Sequence, residues 1–228
     1  MRRLRKMLRD QRGTTMTELL VGLTVGTTVM VGLTTLVVIT FQNTARVSAR
    51  VDGTQRARLA MNRIVDQMHS ACLAPKAPPI REGSSGTEMR FIHARGSSSA
   101  PTPTLTKITY ANNELTQYDY AWQSGLSPTT WVFGTTPSKV IPLVDQITPA
   151  SSTKPIFSYY SSSSGSTGQL TPLTAFEASR TIHVTIVFKT APRHGSGDDA
   201  VPARIQGGGT FRLTAASYRT EVPSLPCQ

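Results

Sequence analysis

Between Leu19 and Ala45 the chain carries no charge. The first part of that run, the 23 residues from Leu19 to Phe41, would make about 34 Å of α-helix at ~1.5 Å per residue. A hydrocarbon core is ~30 Å thick, so the segment is long enough to cross one. It holds Gly22, Gly26 and Gly32 and many Thr residues, but no Pro. The spacing of Gly22 and Gly26 is one that lets helices approach closely in a membrane. The flanks are unequal. On the N-terminal side, Arg2, Arg3, Arg5, Lys6, Arg9 and Arg12 stand against one acid, Asp10. At the mouth of the uncharged run sits a single carboxylate, Glu18. An acid at the edge of such a segment is costly in lipid and asks for a functional reason.

An ordinary secretory signal is cut after its apolar region, at a site of small residues. Here the candidate cleavage residue, Gly13, precedes the apolar region, so cutting there would leave the helix in the mature chain. A basic leader, Gly13, four residues, Glu18 and then an apolar helix resemble the type IV pilin and type II secretion pseudopilin signal. The resemblance implies that prepilin peptidase cuts between Gly13 and Thr14 and methylates the new amino group of Thr14. It also implies that Glu18 serves assembly into a filament of other pilins or pseudopilins. The first mature residue is Thr14, where the family usually has Phe or another apolar residue. The competing reading is a plain single-pass anchor that happens to carry Gly and Glu near its start.

Charge has to be read against that leader. The chain has a formal charge of +11, to which the first thirteen residues contribute six bases and one acid. What remains is mildly basic, so the total charge is weak evidence for a nucleic-acid partner. The residues beyond the leader suffice for a helix and one domain of ordinary size.

From about Arg46 to Cys72 the helix is expected to continue as an amphipathic one. Val47, Val51, Thr54, Arg58, Met61, Val65, Met68 and Cys72 recur at three- and four-residue steps, widened by Ala57, Ala60, Ile64 and Ala71. In this reading Arg58 interrupts the stripe, Gly53 weakens the helix, and Arg46, Arg50, Arg56, Arg63 and Asp66 are free for the outside. Pro75, Pro78 and Pro79 end it. Beyond Leu73, short runs of strand-forming residues alternate with Ser, Thr, Gly and Pro. Candidate strands cover 87–95, 105–111, 114–120, 129–133, 139–144, 155–160, 180–190 and 209–218. Asn112-Asn113 suits a tight hairpin turn, because Asn tolerates left-handed backbone angles.

The expected fold class is therefore α+β, with an antiparallel sheet, or two small ones, laid across the outer half of a long N-terminal helix. The expected division is a leader (1–13), an apolar helix (14–45), its amphipathic continuation (46–72) and a β-rich extracytoplasmic domain (73–228). Lys107-Ile108-Thr109-Tyr110, Asn112-Asn113-Glu114-Leu115 and Ile156-Phe157-Ser158-Tyr159-Tyr160 are similar to segments of the minor pseudopilin J and minor pilin W group. That resemblance implies a pilin-like fold, held in the inner membrane before assembly and outside the cytoplasm afterwards.

Two cysteines, Cys72 and Cys227, stand near the two ends of the portion beyond the membrane. A sparse, even count outside the cytoplasm is compatible with one disulfide, and also with two separate thiols. Neither has a Cys-x-x-Cys or His-x-x-x-His companion, so no metal site is expected. His69, His93, His183 and His194 are scattered and read as surface or strand-face residues. Asp198-Asp199 falls well short of a six- to eight-oxygen calcium set. No Gly-x-Ser-x-Gly elbow or paired-carboxylate scaffold occurs, and Gly207-Gly208-Gly209 is read as preceding a strand, not a helix. The expectation is a structural subunit without catalysis or cofactor. The alternative is a module at a filament tip, for instance one that binds DNA through Arg residues.

Overall fold

The computed structural model describes residues 15–71, 78–95, 102–125, 130–161, 172–191 and 202–211. Among these residues it is an α+β structure: a helix of 54 residues, α1 (Met16–His69), followed by nine strands in two antiparallel sheets and one short helix. Two compact units divide the chain, Met1–Val47 and Ser48–Gln228. The first contains the apolar part of α1, in which every described side chain is exposed.

In the second unit, sheet one is built on β1 (Glu88–Arg95), β2 (Thr102–Ala111) and β3 (Glu114–Ser124). β4 (Val132–Phe133) and β5 (Lys139–Val144) both pair with β3, at different places along it. The β2–β3 hairpin closes through Asn112 and Asn113, at φ 51° and 61°. Two left-handed central residues make the turn whose twist matches that of the flanking strands, as the Asn pair predicts. Sheet two centres on β8 (Thr181–Thr190), which pairs with β6 (Ile147–Pro149) and β7 (Phe157–Ser161), and with β9 (Ala203–Thr210). The alternation in β8 places Val184, Ile186 and Phe188 in the core, while Ile182 is half-buried.

One core joins the outer part of α1 to both sheets. Ile64 and Met68 of the helix pack with Met89, Phe91, Ile108 and Leu115 of sheet one and Phe157, Val184, Ile186 and Phe188 of sheet two. The docking face is rotated from the expected stripe. Gly53, Ala57, Ala60, Met61, Ile64 and Met68 are buried, whereas Val47 and Val51 are 63% and 48% exposed. Arg58 lies outside the buried face, and Thr54 and Val65 are half-buried. Backbone proximity selects this face. A β-carbon on Gly53 would sit 3.6 Å from the carbonyl oxygen of Ala191, so the smallest residue marks closest approach. Lower down, Met61 and Met68 lie over Gly207 and Gly209. These glycines belong to β9 itself, which runs from Ala203 to Thr210 instead of starting at Gly209.

Two elements were not expected from the sequence. The three-residue β6 is too short to show a period. Helix α2 (Ala175–Arg180) did leave a signal: Thr174 and Glu177 form a capping box, each side chain accepting from the other's backbone N–H. Arg56, expected outside, instead bonds Asp52 one turn back at 3.1 Å and also Asp145, which follows β5. On the outer face of sheet one, Trp131 and Phe133 pack over Ile92 and Leu105, so that this face carries a small apolar cluster of its own.

Candidate functional site

The first turns of α1 begin at Thr15, whose carbonyl accepts from the N–H of Glu18 at 2.9 Å and of Leu19 at 3.2 Å. Glu18 lies in the first turn, exposed, where a carboxylate interacts favourably with the positive end of the helix dipole. Among the described residues no basic side chain forms an ion pair with it. Gly13 and Thr14, the expected processing residues, lie outside the described residues, as do Cys72 and Cys227.

Beyond Glu18, α1 is long and apolar enough to cross a membrane. Its many threonines look at first unsuited to that, since a hydroxyl left without a partner in an apolar medium costs several kcal/mol. The geometry removes the difficulty. Thr28, Thr34, Thr35, Thr40 and Thr44 each donate to the carbonyl four residues back, at 2.8 to 2.9 Å. Thr24 and Thr27 donate to the carbonyl three residues back, both at 2.9 Å. The hydroxyls are thus satisfied within the helix, and only methyl groups and aliphatic chains need an apolar partner. A β-carbon on Gly22, Gly26 or Gly32 would meet nothing within 4 Å, so these positions are open for another helix to approach.

A second cluster escaped sequence reasoning. His93, Thr106, Gln117 and Asp119 lie on the core-facing side of sheet one, and none is more than 2% exposed. Thr106 and Asp119 are cross-strand partners, and the Thr106 hydroxyl donates to Asp119 Oδ1 at 2.7 Å. Gln117 Nε2 donates to the same oxygen at 2.7 Å. His93 Nε2 lies 3.0 Å from Thr106 Oγ1, and its ring is tilted at 40° to Phe91, with centroids 5.8 Å apart. His93, read as a surface or strand-face residue, lies on the core-facing face of β1. It is buried because β1 presents Met89, Phe91 and His93 to the core in a single alternating row. The signal was available as Thr106, Gln117 and Asp119 in the inward positions of two strands, but only strand register brings them to one place. His183 does lie on a strand face, half-buried between Thr185 and Thr210, with each ring nitrogen 3.0 Å from a hydroxyl. His69 ends α1, exposed.

Tyr159 is another buried polar group. Its hydroxyl donates to the carbonyls of Ser85 at 3.1 Å and Glu88 at 2.9 Å, tying sheet two to the start of β1. Burial pushes its phenol well above the usual tyrosine range. Among the described residues no group of three or more His, Cys, Asp and Glu side chains is placed to hold a metal ion. Asp198, Asp199 and His194 lie outside the described residues.

No protein-family model matches the chain, and no curated protein matches it.

Proposed function

We propose that the chain is a minor pilin or pseudopilin: a structural subunit, not an enzyme, processed by prepilin peptidase and assembled into a type IV pilus or a type II secretion pseudopilus. The observation that carries this reading is the placement of Glu18. It stands alone in the first turn of a helix whose following residues are uncharged to Ala45, and that helix continues unbroken into the core of a β-rich domain. In a plain anchor the helix dipole would offset only part of the cost of a carboxylate at the edge of lipid. Cleavage between Gly13 and Thr14 creates a cationic amine four residues before Glu18. Pairing the two offsets much of the cost of bringing either into a filament core of low dielectric. The self-satisfied threonines and open glycines of α1 suit a helix that leaves lipid to pack against other helices.

In this reading the chain is held in the inner membrane with its C-terminal domain outside the cytoplasm. It then moves into the filament, with its α1 in the central bundle and its sheets in the shell or at the tip. The α+β arrangement, a long N-terminal helix with its outer part packed on antiparallel sheets, supports the pilin-like reading, and the segments similar to the minor pseudopilin J and minor pilin W group support a minor rather than a major subunit. Mass spectrometry of the mature N-terminus tests the proposal. The expected product begins at Thr14, with or without one methyl group on its amine. Recovery of Arg2 to Arg12 on the assembled protein would overturn it.

A further inference from the structure

Sheet one has a second face, turned away from the core, and it gathers aromatic rings. Along β3, Leu115, Gln117 and Asp119 are buried, whereas Tyr118 and Tyr120 are half-buried and Trp122 is 40% exposed. Tyr118, Tyr120 and Trp122 therefore stand in line on the outer face, at the ~6.7 Å step of alternate strand residues. Register brings more apolar groups beside them. Trp122 is opposite Phe133 of β4 and Tyr120 is opposite Leu105 of β2. Trp131 and Phe133 pack against Ile92 of the same face. The chain has two tryptophans, and both belong to this patch. Val140 of β5, opposite Tyr118, extends it and is 52% exposed. Contiguous exposed apolar surface of this kind marks a place where something binds.

One end of the aromatic line is basic. Lys107 is the register partner of Tyr118 on one side and of Arg90 on the other. Its Nζ lies 5.4 Å from the centre of the Tyr118 ring. Arg81 runs alongside, its N–H donating to the carbonyl of Arg90 at 2.9 Å. Two acids are close: Glu88 pairs with Arg90, and Glu82 follows Arg81. Among the described residues neither Lys107 nor Arg81 forms an ion pair. Cations at the end of a line of rings suit a polyanion that carries flat rings of its own. A neutral polysaccharide would use the rings and leave the charges idle, and an acidic protein surface would need no regular line of rings.

We infer that this face binds single-stranded nucleic acid, its bases stacking on Tyr118, Tyr120 and Trp122 and its phosphates meeting Lys107, Arg90 and Arg81. Aromatic side chains accept any base, because every base has a π-face, and the cations add an affinity that falls with salt. An extended single strand can place successive bases on alternate residues of β3. A duplex keeps its bases stacked on one another and offers this face phosphates alone. The binding does not depend on the fate of α1 and would be present in a plain anchored domain, so its failure and that of the pilin reading are told apart.

The test is a titration of the full chain, in non-ionic detergent, with single-stranded oligonucleotides of mixed sequence. The basic leader also attracts phosphate, so the readout is tryptophan emission, which reports on this face. Saturable quenching by the single strand is expected, with little from the same sequence as a duplex. Trp122→Ala should weaken binding of a dye-labelled oligonucleotide about tenfold and leave its salt dependence unchanged. Lys107→Gln should lower the slope of log affinity against log salt by about 0.7, the loss of one phosphate contact. Lys154→Gln, in the turn before β7, should change neither. Absence of quenching, or equal quenching by the duplex or by inorganic polyphosphate, would overturn the inference. So would quenching by neutral oligosaccharides and not by the oligonucleotide. These comparisons use the wild type and decide even if a variant fails to fold.

Discussion

The Cε of Met68 lies 3.0 Å from the point that a β-carbon on Gly209 would occupy. About two helical turns earlier, Met61 stands in the same relation to Gly207, with its Sδ 2.5 Å from that point. The long helix is therefore seated on a strand stripped of side chains, and flexible thioether chains fill the seam. Between these two, a β-carbon on Gly208 would lie 2.3 Å from the carbonyl oxygen of Val184 on the neighbouring strand.

These distances rank three substitutions. In Gly209→Ala the added methyl meets the Cε end of Met68, and in Gly207→Ala the Sδ and Cγ of Met61 at 2.5 and 2.7 Å, in each case a flexible side chain that can turn aside. In Gly208→Ala it meets backbone that cannot move without breaking the β8–β9 pairing. Gly208→Ala is expected to cost about 2 kcal/mol or more, with the other two near or below ~1 kcal/mol. Denaturant unfolding of the three variants side by side in detergent checks the order. Equal losses at all three positions would show that the strand can shift to make room.

For Glu18, replacement by Ala removes the carboxylate and leaves the apolar helix and Gly13 untouched. Membrane insertion and cleavage are expected to remain close to normal, while incorporation into filaments falls at least several-fold. Comparison of sheared filaments with total mature protein measures this. Wild-type incorporation would reduce Glu18 to a side chain that merely reaches the interface.

Tyr159 predicts a step in alkaline stability. Its folded value is raised by burial above the ordinary 10.0. The stability contribution of the neutral phenol is thus complete below pH ~10 and is lost as pH climbs from there through the higher folded value. Tyr159→Phe should remove that step. At neutral pH it should cost about 1 kcal/mol, for the hydrogen bonds lost to the carbonyls of Ser85 and Glu88. An unfolding curve between pH ~8 and ~11 that is the same with and without the hydroxyl would refute the assignment.

Cys72 and Cys227 make a fourth case. A bond between them would close a loop of more than a hundred residues, worth on the order of 5 kcal/mol in the loop-entropy model. Peptide mapping without reduction should recover the two joined. Two freely alkylated thiols in native protein would show that the domain holds together without the bond.

Local pattern settled much of this protein before any coordinates. The uncharged run to Ala45 fixes a helix of membrane-crossing length, because an apolar segment that long must satisfy its backbone hydrogen bonds within itself. The Asn112-Asn113 turn and the alternation in β8 were legible for the same reason: a turn type and a two-residue period are written within a few neighbouring positions. The capping box of α2 was written as locally and went unread, since six residues leave little helical period beside it. Tertiary structure decided which face of α1 is buried. Closeness to Ala191 and to the glycines of β9 favoured Gly53 and Ala57 over the more hydrophobic Val47 and Val51. It also decided that Gly207, Gly208 and Gly209 lie within a strand, because the space beside Gly207 and Gly209 is filled by Met61 and Met68, far away in sequence, and that beside Gly208 by the backbone of β8. The row of His93, Thr106 and Asp119 is the clearest instance. Each residue alone is unremarkable in sequence, and only the register of three strands brings their polar atoms within hydrogen-bonding reach in the absence of water.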